Sequence, residues 1–103
     1  MSEIVGLYKE DARRMVREMD AAINRWEEVH AGGPARKDLR RLSHQLRGSG
    51  RTYGFRNVTR ISKAMEQIVQ KLERQHLAAD DRTRSALVDK IKRLSKIFQE
   101  EEG

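Results

Sequence analysis

Cysteine is absent from this 103-residue chain. Neither a disulfide framework nor a thiolate metal site can form; the absence is by itself neutral about compartment but agrees with a reducing cytosol, and a cytoplasmic location is expected. Aromatic residues make up only 5% of the sequence. With Val and Thr also sparse, a multilayer sheet protein fits poorly. Long apolar runs are missing too. The opening stretch "MSEIVGLYKED" contains none of signal-peptide length, and no stretch approaches the roughly 20 apolar residues of a membrane span. No membrane partner is expected. No glycine-rich loop follows a strand signal, which excludes the usual nucleotide-binding loops. No His, Asp and Glu cluster has metal-ligand spacing, so no cofactor is expected.

Hydrophobic and charged residues each account for 37% of the chain. That balance suits amphipathic helices, and the length suits one small domain over residues 1–103. The formal net charge of +6 points to an acidic partner. Apolar residues recur at spacings of three, four or seven in four segments. The first, about residues 3–30, carries Ile4, Tyr8, Met15, Met19, Ile23 and Trp26. "AGGPA" interrupts it: Gly32 and Gly33 end one helix, and Pro34 can open the next at its first turn. The second segment runs over about 35–53 and is closed by Gly54. The third, about 57–76, places Val58, Ile61, Met65, Ile68 and Leu72 on one face, with Asn57 as a candidate N-cap. The fourth, about 81–100, is capped by Asp80 or Asp81 and carries Leu87, Ile91, Leu94 and Phe98. Four such helices with short connections predict an all-α, antiparallel up-down four-helix bundle.

Segment two contains a conflict. "LSHQLRGSGRTYGF" keeps helical periodicity, yet Gly48 and Gly50 sit inside it, each costing about 1 kcal/mol relative to Ala. At about 100° per residue, Leu39, Leu42, Leu46 and Tyr53 cluster within about 60°. His44 falls about 180° from the centre of that cluster, facing solvent or a partner. Arg40, Arg41, Arg47, Gly48 and Arg51 share its face. A missing side chain at Gly48, one turn past His44, lets another backbone approach the imidazole. Gly50 faces the core shoulder, where it permits close helix contact. The other chemistry-bearing residues read blandly. His30 and His76 fall near expected helix ends, where partial positive charge suits the dipole. Trp26 and the methionines at 15, 19 and 65 have core spacing, and Ser43 and Ser49 have no base constellation of their own.

His44-Gln45-Leu46-Arg47-Gly48-Ser49, with Tyr53-Gly54 following, resembles the signature of histidine-containing phosphotransfer domains: H-x-L-K-G-S, small residues, then an aromatic or aliphatic residue and Gly. Thr59-Arg60-Ile61-Ser62-Lys63-Ala64-Met65-Glu66 is similar to T-R-L-x-H-x-M-E in the phosphoacceptor domain of chemotaxis histidine kinases. The specific similarity covers about residues 38–70. The resemblance implies an antiparallel four-helix bundle, with His44 as phosphoacceptor and Glu66 accepting a hydrogen bond from its imidazole. Arg47 takes the family's Lys position, one turn after His44, where it can meet the phosphoryl oxygens; Arg for Lys replaces a point charge by a planar fork. Lys63 stands where the chemotaxis branch has a second histidine.

The function these features imply is a phosphorelay carrier, not an enzyme in its own right. It would be phosphorylated in trans by a histidine kinase and would exchange the phosphoryl group with an aspartate of a receiver domain. Any Mg²⁺ would sit in the receiver's acidic site. Arg47, Glu66 and Lys63 are the expected site support, and Arg40, Arg41, Gly48 and Arg51 the expected docking surface of a monomer. Two other classes compete: a basic helical nucleic-acid-binding protein, suggested by "ARKDLRR", and a phosphorylation-independent adaptor using the same face. Few aromatics, and basic residues spread over several helices, argue against nucleic acid.

Overall fold

Each apolar stripe folds into one helix. The computed structural model describes residues 2–26, 33–75 and 80–100. The helices are α1 (Ser2–Asn24), α2 (Pro34–Tyr53), α3 (Arg56–Arg74) and α4 (Asp81–Glu100). Each packs on the next, and α4 closes back onto α1, with no diagonal packing among the described residues. The chain is thus an up-down four-helix bundle, elongated at 44 × 20 × 20 Å.

The boundaries follow local chemistry. Helix α1 stops at Asn24, short of the expected position near 30. Its last turn tightens as the Trp26 N–H reaches the Ile23 carbonyl at 3.3 Å, a short-range bond typical of helix ends. Trp26 is still buried, because a spacing of three serves a tight turn as well as a helix. Gly32, His30 and His76 lie outside the described residues. Pro34 opens α2 after an extended Gly33. Gly54 ends it at φ 81°, in the left-handed region. There the Gly54 N–H bonds the Arg51 carbonyl at 3.4 Å and the Phe55 N–H bonds that of Gly50 at 2.8 Å, the paired bonds of a Schellman motif. That motif hands the chain directly to α3, whose N-cap is Phe55, not the expected Asn57. Asp80, of the two candidate caps, caps α4: its carboxylate accepts the Thr83 N–H at 2.7 Å. This bond holds the Asp80 carboxyl below its ordinary range.

In α4, Leu87, Ile91, Leu94 and Phe98 are all buried, as the periodicity predicts. The buried seam of α3 is Val58, Ser62, Met65, Val69 and Leu72. Ile61 and Ile68 pack on its flank and are only partly buried. Ile4 corrects the stripe expected for α1, being 54% exposed. An aromatic layer of Tyr8, Tyr53, Phe55 and Phe98 closes the core one turn before it is reached. Tyr53 stacks on Tyr8 at a centroid distance of 4.4 Å and leaves its outer side exposed.

The two glycines inside α2 have opposite surroundings. A Cβ on Gly48 would meet nothing within 4 Å. A Cβ on Gly50 would lie 2.9 Å from Thr59 Oγ1 and 3.2 Å from the Thr59 backbone nitrogen. Gly50 is therefore the close-approach point of α2 and α3. Thr59 cannot step aside cheaply, because its hydroxyl is bonded to the Phe55 carbonyl at 3.1 Å and its nitrogen is backbone. Opposite effects on stability are expected. Gly48→Ala stabilises by about 1 kcal/mol through helix propensity. Gly50→Ala destabilises by about 1–2 kcal/mol, because overpacking outweighs that gain. Urea midpoints of the two variants check this, and equal shifts of one sign would contradict it.

Candidate functional site

Gly50 marks the close approach of α2 and α3, and each of these helices also buries a small serine, Ser43 on α2 and Ser62 on α3. Small side chains let the two helices approach closely, and residues flanking the seam reach across it. His44 stands on α2 with its ring 63% exposed, and Glu66 on α3 with its side chain only 7% exposed. Across the gap, His44 Nδ1 lies 2.8 Å from Glu66 Oε2. A carboxylate can only accept, so Nδ1 carries the hydrogen and donates it. The lone pair is then fixed on Nε2, the other ring nitrogen.

Arg47, one turn after His44, reaches the same carboxylate from α2. Its terminal nitrogen is 2.9 Å from Glu66 Oε1. The contact is an ion pair by distance, with the N–H aimed off the hydrogen-bond axis, so Oε1 makes no aligned hydrogen bond. A buried carboxylate held by one guanidinium and one imidazole N–H is compensated on both oxygens. Arg47 is thereby committed to Glu66, whereas the sequence reading sets it toward a phosphoryl group.

The other expected site residues lie around this triad. Gly48 is exposed and open. Arg51 is exposed at the end of α2, and Lys63 is exposed on α3 one turn before Glu66. Arg40 and Arg41 are exposed as well, but each faces an acid: Arg40 lies 3.5 Å from Glu73, and Arg41 lies 3.7 Å from Asp38. An open depression of about 400 Å³ beside the imidazole is lined by Arg40, Arg41, His44, Gln45, Glu66 and Gln70. The two glutamines were missed by the sequence reading. Gln70 follows Glu66 by four residues, a spacing that marks it as a neighbour on the same helix face.

Neither serine of the signature region is a nucleophile in waiting. The Ser43 hydroxyl donates to the Leu39 carbonyl at 2.7 Å inside the bundle. Ser49 Oγ lies 3.3 Å from both the Tyr8 hydroxyl and the Leu46 carbonyl. Burial pushes the Tyr8 phenol above its ordinary range, which keeps it neutral. Among the described residues no group of three or more His, Asp or Glu could hold a metal ion, and no helix is long and apolar enough to cross a membrane.

The imidazole of His44 thus faces outward and is oriented by a buried carboxylate on the neighbouring helix of a four-helix bundle. The family model described as the Hpt domain matches residues 3–97. That span is nearly the whole chain, and the chain belongs to the Hpt-domain family, whose members carry out histidine phosphotransfer in phosphorelay signalling. No curated protein and no solved structure matches it.

Proposed function

We propose that His44 accepts the phosphoryl group on Nε2 from a histidine kinase acting in trans and exchanges it with an aspartate of a receiver domain. The observation that carries this is the 2.8 Å pairing of Nδ1 with the buried Glu66 on a ring otherwise open to solvent. The pairing fixes the tautomer and orients the ring, which are the positioning contributions such a transfer needs. The Nε2 lone pair attacks the γ-phosphorus of kinase-bound ATP as its P–O bond breaks and ADP leaves; in the reverse exchange with a receiver the leaving group is the aspartate carboxylate. The Nδ1 proton stays on the ring, and Glu66 compensates the positive charge the ring then carries. Any Mg²⁺ in the transfer belongs to the receiver's acidic pocket. The receiver docks on the face of Arg40, Arg41, Gly48 and Arg51, where Gly48 admits its backbone and the arginines raise the association rate toward an acidic rim. Lys63 stands at the α3 edge of that face. The chain works as a cytoplasmic monomer.

The test is to mix the chain with ATP, a panel of histidine kinases and a panel of receiver domains. The expected result is an acid-labile label that appears on His44 and then on a receiver. A chain that takes no label from any kinase and none from any phosphorylated receiver would sink the reading.

Glu66 gives a sharper test of mechanism. Glu66→Gln keeps an acceptor oxygen but loses the charge. A hydrogen bond to a charged group contributes about 1.5–3 kcal/mol, so transfer slows roughly ten- to hundred-fold, and Glu66→Ala slows it further by freeing the ring. ¹⁵N shifts of the imidazole report the tautomer directly: wild type shows hydrogen on Nδ1, and Glu66→Ala shows a mixture. Unchanged rates and an unchanged tautomer in both variants would reduce Glu66 to a structural carboxylate.

A further inference from the structure

Arg47 is the residue that sequence spacing sets against the phosphoryl oxygens, yet the structure places its guanidinium 2.9 Å from Glu66. Reaching toward a phosphoryl group would strip the buried carboxylate of that ion pair. The cations with weaker commitments are on the other side of His44. Arg40 and Arg41 meet their acids at 3.5 and 3.7 Å, beyond ordinary hydrogen-bond distance, and both side chains are about half exposed, at 47% and 54%. The Arg41–Asp38 pair is exposed on both sides, at 54% and 41%, and such pairs contribute little and exchange readily. These two arginines, with the amides of Gln45 and Gln70, line the open depression that also contains His44. Nitrogen donors thus line most of a cavity beside the imidazole, its one acidic wall being the Glu66 carboxylate already engaged by His44 and Arg47, and a phosphoryl group brings three oxygens that accept.

Resting on the reading of His44 as phosphoacceptor, we infer that this depression between α2 and α3 seats the phosphoryl group once it is on Nε2, with the Gln70 amide and the Arg41 guanidinium as its donors and Arg47 left on Glu66. The seat has a chemical consequence. When the N–P bond breaks, its electron pair returns to the ring nitrogen, the ring loses its positive charge, and the phosphoryl oxygens lose negative charge. Donors to those oxygens therefore hold the bonded state more tightly than the state in which the bond is breaking. The seat slows spontaneous loss of the phosphoryl group and keeps the carrier charged between encounters.

Phosphoramidate tests this without a protein partner: its P–N bond breaks, ammonia departs, and the phosphoryl group passes to the imidazole. The wild-type chain, Gln70→Ala, Arg41→Ala and Arg47→Ala are loaded in this way, and the decay of phosphohistidine at neutral pH is followed by ³¹P NMR. Gln70 and Arg41 are exposed, so their truncation leaves the core intact. Gln70→Ala and Arg41→Ala are each expected to shorten the half-life by about tenfold or more, within the range of one charge-assisted hydrogen bond. The Gln70 side-chain amide of the wild-type chain shifts on loading. Half-lives equal to wild type in both variants, with an unmoved Gln70 amide, overturn the seat alone and leave His44 as acceptor. A shortened half-life confined to Arg47→Ala returns the phosphoryl group to Arg47. Failure of phosphoramidate to label His44 overturns both the seat and the reading beneath it.

Discussion

His44→Gln leaves the chain without acid-labile phosphate, whichever kinase or receiver supplies it. The loss is complete because the substitution removes the nucleophile itself, not a supporting group. The chain has two further histidines, His30 and His76, and a variant that still takes up label would point to one of them. Neither is expected to serve, since the Glu66 carboxylate that fixes a lone pair on Nε2 is engaged by His44. Folding is not at issue. The His44 ring is mostly exposed, and a Gln in a helix has better intrinsic propensity than His. A helical circular dichroism spectrum matching wild type, together with absent label, is the expected pair of results. Label at the wild-type level in this variant would remove His44 from the mechanism.

Gly48→Gln separates binding from folding in the opposite way. The space beyond Gly48 is open, so the new side chain meets nothing within the protein. Exchanging Gly for Gln in a helix interior stabilises by up to about 1 kcal/mol, enough to raise the melting temperature by roughly 4–8 °C in a domain of this size. The same side chain projects into the space that a receiver must enter to bring its aspartate in line with Nε2. A misplacement of about 1 Å can cost a hundred-fold in rate, so transfer falls by about two orders of magnitude or more while stability rises. Transfer at the wild-type rate in this variant would show that the docking face lies elsewhere. Salt dependence discriminates less well, because nucleic-acid binding by the same arginines would be salt-sensitive too.

Much of this architecture was legible in the sequence, and the exceptions share a cause. The α4 stripe from Leu87 to Phe98 is buried throughout, and His44 is exposed where the helical wheel puts it, because a period of 3.6 assigns faces reliably within one helix. Periodicity does not say where the neighbouring elements end. Ile4 continues the stripe of Tyr8 and is nevertheless exposed. Nor does it arbitrate between local signals: Asn57 looks like a cap, but the Schellman turn at Gly54 had already started α3 at Arg56. The pairing of His44 with Glu66 was suggested by family resemblance. On the wheel Glu66 is only a shoulder position, and its burial depends on the distance between two helices, set at Gly50. The grip of Arg47 on Glu66 depends on the rotamer of a long side chain, which spacing cannot specify.

On the face of the bundle away from His44, α1 and α4 hold each other by their ends. Arg13 of α1 donates to the Phe98 carbonyl in the last turn of α4 at 3.0 Å. Arg84 of α4 donates to the Ile23 carbonyl in the last turn of α1 at 3.3 Å. Each helix thus supplies the cation that the other's negative end calls for, at a carbonyl of the last turn; that of Ile23 is shared with the Trp26 N–H. Fraying from either end must break a contact to the opposite helix, so the two helices open together as one cooperative unit. Amide protons in their last turns then exchange with solvent at rates set by separation of the pair. The α1–α4 half of the bundle is thereby tied together independently of the α2–α3 hairpin that carries His44.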